Sequence, residues 1–205
     1  MLNNAAARKV AAKVIDPPAK LLVKMKVSPN AITIIGTVGG SLSMLILIPQ
    51  GQFIWAFVLG AFFGISDLLD GTMARMTGTS GPWGNFLDAT LDRITDGAVF
   101  TALIIWGITQ GDYWIIGGGL LALVFGQVVS YSKARAEAVG ATANVGIAER
   151  AERLILVGIA VLLTGFGVPY VLPIALWVIG LAGVVTVVQR MVEVRRQLRG
   201  STAGE

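Results

Sequence analysis

The 205-residue sequence contains no cysteine and no histidine, and only 14% of its residues are charged. Each absence excludes something. Without cysteine there is no disulfide and no thiolate nucleophile, and without either residue there is no Cys/His metal site. Any general base must be Asp, Glu, Lys or Tyr, and any metal site must use oxygen ligands, which favours Mg²⁺, Ca²⁺ or Mn²⁺. An average soluble domain is about 25% charged, so the shortage of charge excludes a soluble globular domain, a disordered chain and a nucleic-acid-binding arm. What fills the sequence instead is apolar: 55% of it is hydrophobic and the mean hydropathy is +0.75. Such a chain is mostly embedded in a membrane. At about 20 residues per span, five or six helices use up most of its length.

Residues 1–26 alternate apolar positions with Arg8, Lys9, Lys13, Lys20, Lys24 and Lys26. With no uninterrupted apolar core, this stretch reads as neither a secretory signal nor a span. It reads as an amphipathic juxtamembrane segment lying on an anionic membrane face, with a helix break expected at Asp16-Pro17-Pro18. A transmembrane domain is expected over 27–199, in six apolar segments near 30–49, 52–76, 84–108, 113–138, 148–166 and 170–194, and a disordered tail over 200–205. Glycines within the segments, among them Gly36, Gly39, Gly40 and Gly117 to Gly119, suit close helix packing in lipid.

The basic residues assign the two sides. If the N-terminus lies on one side of a six-span bundle, the connections 77–83 and 139–147 and the C-terminus share that side, and all 16 Lys and Arg residues lie in or beside those segments. The connections near 49–52, 109–112 and 166–170 contain none. The positive-inside rule then makes the basic side cytoplasmic, with both termini inside. The expected fold is an all-α, multi-pass bundle in the plasma membrane.

Acidic residues inside spans are costly and mark function. Asp67 and Asp70 are three residues apart on one helix, and Asp88 and Asp92 four apart on the next, so each pair shares a helix face. The short connection makes the two helices antiparallel neighbours, and all four carboxylates can converge just below the cytoplasmic surface. Four such groups cannot all stay ionised at low dielectric unless a proton or cation intervenes. One divalent cation, or a pair about 3.5–4 Å apart, resolves the conflict and leaves ligand positions for phosphate oxygens. Gly71 and Ala74 leave space on the face of Asp67 and Asp70, and Arg75 can offer a bidentate guanidinium to a phosphate. Ion pairs with Arg75 or Arg93 would leave most of the acids without partners; only Asp96 reads equally well as a partner of Arg93 or as support for metal ligands.

These residues form the pattern D-x2-D-G-x2-A-R-x8-G-x3-D-x3-D, met at Asp67, Asp70, Gly71, Ala74, Arg75, Gly84, Asp88 and Asp92 with every spacing kept. In this the sequence resembles the CDP-alcohol phosphotransferases. A chance match is on the order of 1 in 10⁹ per start site at ordinary residue frequencies. The resemblance extends to a six-span layout and so covers nearly the whole chain. It implies an integral membrane enzyme that displaces CMP from CDP-diacylglycerol with an alcohol, commonly as a homodimer. It implies that Asp67, Asp70 and Asp88 hold two Mg²⁺ or Mn²⁺ ions, and that Asp92 is the general base and also touches a metal. It places Gly71, Ala74 and Arg75 on the cytidine diphosphate moiety, with Asn30, Ala31, Ile32 and Thr33 at the nucleotide and Ser80 at the pyrophosphate. A single displacement with CMP as leaving group needs no covalent enzyme intermediate, and a carboxylate beside a metal can deprotonate the alcohol.

The remaining cations bear on the acceptor. Arg195, Arg196 and Arg199 suit a topology-marking role, whereas Lys133, Arg153 and Arg190 sit inside apolar runs. A convergence of cations suggests an anionic acceptor, most simply a phosphorylated alcohol. Asp92-Arg93-Ile94-Thr95-Asp96-Gly97 and the spacing of Ser130, Lys133, Arg135, Glu149, Arg150 and Arg153 are similar to the actinobacterial phosphatidylinositol-phosphate synthases. That resemblance implies inositol 1-phosphate as acceptor, its phosphate cradled by Ser130, Lys133, Arg135, Arg153 and Arg190. Glycerol 3-phosphate, also anionic, stays open as the alternative. A divalent-cation transporter is a reading of another class, but it needs acidic residues towards both membrane faces, and here they gather near one.

Overall fold

The computed structural model describes residues 5–202, with side chains over 13–199. Among the described residues all regular structure is helical: α1 (Ala5–Lys24), α2 (Pro29–Leu47), α3 (Phe53–Gly64), α4 (Ser66–Thr77), α5 (Pro82–Gln110), α6 (Tyr113–Ala138), α7 (Arg150–Gly165) and α8 (Val171–Thr202). The helix starts follow local chemistry. The Ser28 hydroxyl caps α2 by accepting from the Ala31 N–H at 3.2 Å, with Pro29 as first residue. The Asp112 carboxylate caps α6 by accepting from the N–H groups of Trp114 and Ile115 at 2.9 and 3.1 Å. Gly78, at φ 66°, closes α4 by returning its N–H to the Ala74 carbonyl.

Two expectations change. The Asp16-Pro17-Pro18 step does not break the first helix, because α1 runs through both prolines. An interior proline costs about 3 kcal/mol or more, and packing offsets it: Ile15 and Ala19, on either side of the step, are buried, and α1 packs along α4. At the other end, α8 carries on to Thr202, into the segment expected to be a disordered tail. Its last turns are held by Glu193, which accepts from Gln197 at 2.7 Å and from Arg196 at 3.0 Å. Residues 203–205, and the start of the basic segment at residues 1–4, lie outside the described residues.

Four stretches are long and apolar enough to cross a membrane: Pro29–Leu47, Phe53–Thr77, Tyr113–Ala138 and Val171–Arg199. The second combines α3 and α4, which meet at Ile65. Helix α5 has the length, at 29 residues, but carries Asp88, Asp92, Arg93 and Asp96 in its first half. Helix α7 is apolar but has only 16 residues. The exterior is that of a membrane protein. On α8, Ile174, Val178, Leu181, Val185 and Val188 recur at three- and four-residue steps and are all exposed, a continuous apolar stripe. Tyr113 and Trp114 at the start of α6, Phe166 at the end of α7 and Tyr170 just before α8 are also exposed, as interfacial aromatic anchors are.

The chain divides into two compact units, residues 1–43 with 58–95 and residues 44–57 with 96–205. In the first, the glycines of α2 permit close helix approach. A Cβ at Gly36 would lie 2.5 Å from the Ser66 Cβ, and one at Gly39 would lie 2.4 Å from the Phe63 ring. In the second, Ile48, Phe100, Leu103, Leu172, Leu176 and Ile179 form the buried core, and the Phe53 and Trp106 rings meet edge to face at 4.8 Å. Helix α6 packs along α8, where Gly118, Gly180 and Gly183 leave room for Leu176, Leu121 and Phe125.

Candidate active site

The first unit gathers three of the four signature aspartates. Asp67 and Asp70 project from one face of α4, and Asp88 from the second turn of α5. One carboxylate oxygen from each lies within 4.8 Å of the other two. Asp67 and Asp88 are exposed, whereas Asp70 is buried. The Thr33 hydroxyl of α2 donates to the Asp70 carboxylate at 2.5 Å and also lies 3.2 Å from the Pro29 carbonyl. Three carboxylate oxygens so close repel one another, and oxygen donors of this number and charge suit a hard divalent cation. The residues present therefore fit the group that the sequence pattern implies.

Space and charge adjoin the triad. A Cβ at Gly84 would meet nothing within 4 Å, and one at Gly71 would meet only the Arg75 guanidinium, at 3.5 Å. Arg75 is exposed and donates to the Thr72 hydroxyl at 2.9 Å, which holds its guanidinium along α4. Asp92 lies one turn beyond Asp88 on α5, half-buried, with its carboxylate 3.9 Å from the Arg93 guanidinium. It is not part of the three-aspartate group among the described residues. Asn30, Ala31 and Ile32 are half-buried in the first turn of α2, Ala74 is half-buried on α4, and Ser80 is exposed in the connection before α5.

In the second unit, Asp96 is almost completely buried, and each of its oxygens accepts from an arginine of α7: Oδ1 from Arg150 Nε and Oδ2 from Arg153, both at 3.2 Å. Arg153 is buried and also donates to the Ala148 carbonyl at 3.3 Å. Arg190 is buried as well; it donates to the Val145 carbonyl at 3.0 Å and to the Val129 carbonyl. Ser130 and Lys133 are half-buried towards the end of α6, and Arg135 is exposed. Of the five residues expected at the acceptor phosphate, two thus have guanidiniums committed to the protein's own acceptors. Removing one member of a buried ion pair leaves uncompensated charge and costs about 3–5 kcal/mol. Asp96→Ala is accordingly expected to lower the thermal unfolding midpoint more than Arg150→Ala does, because Arg150 is a quarter exposed and Asp96 is not.

Sequence reasoning missed how the connection 139–149 is tied down. The Thr186 hydroxyl accepts from the N–H groups of Ile147 and Ala148 at 3.2 and 3.1 Å. The Gln197 amide pairs with Thr142 in both directions, each bond 2.9 Å. Gly146 sits at φ 141° against the Thr186 methyl, where no side chain fits. A usable signal existed, since Thr186, Gln189 and Arg190 are polar residues in an otherwise apolar run.

The sequence matches the profile of the CDP-alcohol phosphatidyltransferase family over residues 26–189. The chain belongs to that family. It is 46% identical over 190 residues to a phosphatidylinositol phosphate synthase of Corynebacterium glutamicum, covering 90% of this chain and 85% of that one. Among solved structures, it is similar to the Mycobacterium tuberculosis phosphatidylinositol phosphate synthase with CDP-DAG bound: TM-score 0.85, 39% identity, 89% of this chain and 94% of that one. The same mycobacterial enzyme in complex with manganese and citrate matches at TM-score 0.82 and 39% identity, with 87% of each chain covered. This CDP-alcohol phosphatidyltransferase is therefore an enzyme of phospholipid biosynthesis, and its three-aspartate group falls on the signature residues read from the sequence.

Proposed function

We propose that the protein transfers the phosphatidyl group of CDP-diacylglycerol to inositol 1-phosphate, forming phosphatidylinositol phosphate and CMP. The observation that carries the reading is the group of Asp67, Asp70 and Asp88 within a signature kept at every spacing. The names of the relatives support the acceptor.

Asp67, Asp70 and Asp88 hold the divalent cations, Mg²⁺ or Mn²⁺, with Asp92 as a further ligand. When bound, such ions neutralise the diphosphate and stabilise charge on the leaving CMP. The chain's own residues do the rest. Gly71 and Ala74 leave room for the nucleotide, and Arg75 and Ser80 bind phosphate oxygens. Asn30, Ala31 and Ile32, in the first turn of α2, border the nucleotide. Asp92 takes the proton from the attacking hydroxyl, which is work for a carboxylate in a chain without histidine. The acceptor oxygen forms the new bond to the phosphorus that carries diacylglycerol, and the bond from that phosphorus to CMP breaks. Ser130, Lys133, Arg135, Arg153 and Arg190 confine the acceptor's phosphate.

The enzyme works as a homodimer of six-span chains in the plasma membrane, with both termini and the active site on the cytoplasmic side. Helices α5 and α7 complete the six. The support is that all 16 Lys and Arg residues lie in one set of connections and termini or in the halves of the helices that adjoin them, while the opposite turns carry exposed Tyr113, Trp114, Phe166 and Tyr170. The test is acceptor-dependent CMP release by the purified protein with CDP-diacylglycerol and Mg²⁺, offering inositol 1-phosphate, inositol and glycerol 3-phosphate separately. Release with inositol 1-phosphate alone is expected. Release only with glycerol 3-phosphate would keep the chemistry and replace the acceptor.

A further inference from the structure

The triad's most buried member has a partner from another helix. Asp70 lies on α4, and the hydroxyl that reaches it belongs to Thr33 on α2, 37 residues earlier. Both side chains are buried, at 8% and 7% relative exposure. A buried carboxylate has two ways to be satisfied, a hydrogen-bond donor or a cation. Here Thr33 takes Oδ2.

We infer that Thr33 is a positioning residue of the cation site: its hydroxyl fixes the Asp70 carboxylate so that the other oxygen is presented to the divalent cation. This rests on the reading of Asp67, Asp70 and Asp88 as cation ligands. It differs from the role that sequence resemblance gives Thr33, a contact to the nucleotide.

Three features favour positioning. The hydroxyl is buried, and it lies nearer the carboxylate, at 2.5 Å, than the Pro29 carbonyl, at 3.2 Å. The first turn of α2 is itself anchored, by the Ser28 cap and Pro29, so the threonine is held on rigid backbone. About one turn beyond Thr33 on the same helix, Gly36 lies so close to Ser66 of α4 that a Cβ would fall 2.5 Å from the serine Cβ. The spacing of α2 and α4 that brings Thr33 to Asp70 is therefore fixed by backbone packing. Groups that orient metal ligands in this way typically change metal affinity 10–100-fold when removed.

The experiment is direct Mn²⁺ binding to the purified full-length protein in detergent. Loss of the free-ion paramagnetic resonance signal is followed for the parent, Thr33→Val, Thr33→Ser and Asp70→Asn. Thr33→Val keeps the shape and removes the hydroxyl; it is expected to raise the Mn²⁺ dissociation constant at least about 10-fold. Thr33→Ser is expected to stay within about threefold of the parent, and the Mn²⁺ concentration for half-maximal CMP release should move in the same ratios. Unchanged Mn²⁺ binding in Thr33→Val, with a raised KM for CDP-diacylglycerol, would overturn the inference and return Thr33 to the nucleotide. Equal losses in the Val and Ser variants would overturn it too, since the hydroxyl would not be the cause. If Thr33→Val does not fold, Thr33→Ala against Thr33→Ser reads the same ratio. Unaltered binding in Asp70→Asn would instead defeat the triad reading on which the inference rests.

Discussion

Asp92→Asn is expected to lower kcat for CMP release by about 10²–10⁴-fold, the range that a positioned general base contributes. The substitution keeps the side chain's shape and removes its ability to take a proton. Neither cysteine nor histidine can substitute for it, because the chain has none. Asp92 is half-buried, one turn beyond Asp88 on α5, and stands outside the three-oxygen group. Mn²⁺ binding, with three of the four aspartate ligands kept, should therefore weaken far less than turnover does. Parallel loss of both, measured by steady-state kinetics and by Mn²⁺ titration, would make Asp92 primarily a cation ligand and send the search for the base elsewhere.

Asp70→Asn is expected to abolish cation binding and activity together, with turnover falling about 10³-fold or more. Among the three grouped aspartates, Asp70 is the buried one and the one held by Thr33. An amide there removes a negative charge from a site whose purpose is charge. It also leaves the Thr33 hydroxyl facing a group whose amide end can only donate. Raising Mg²⁺ from 1 mM to about 50 mM should recover little activity. Full recovery at high Mg²⁺ would reduce Asp70 to one replaceable ligand among several.

Much of this was legible in the sequence, for identifiable reasons. Long apolar runs bounded by Pro29, Pro49 and Gly111-Asp112 place helices to within a few residues, because burial in lipid leaves the backbone few alternatives. The aspartate group was legible because helical spacing alone puts Asp67 with Asp70 on one face, and the short connection turns α5 back beside α4. The parts that were not legible depend on partners far apart in the chain. Nothing local tells that Thr33 reaches Asp70, or that Asp96 is shared by Arg150 and Arg153 more than fifty residues on. Arg153 and Arg190 stood out correctly as cations in apolar surroundings, but their spacing did not disclose that both bond to the protein itself. The proline pair at 17–18 misled in the opposite sense: a strong local rule was outweighed by burial of Ile15 and Ala19.

The most direct test of the central claim follows the acceptor itself. Purified protein is given CDP-diacylglycerol, Mg²⁺ and inositol 1-phosphate labelled with ³²P, and both lipid-extractable label and CMP are measured. The account predicts label entering the lipid fraction in one-to-one ratio with CMP, no transfer when the cation is chelated, and none in Asp70→Asn. CMP released without label in lipid, or lipid labelled only when glycerol 3-phosphate carries the ³²P, would contradict it.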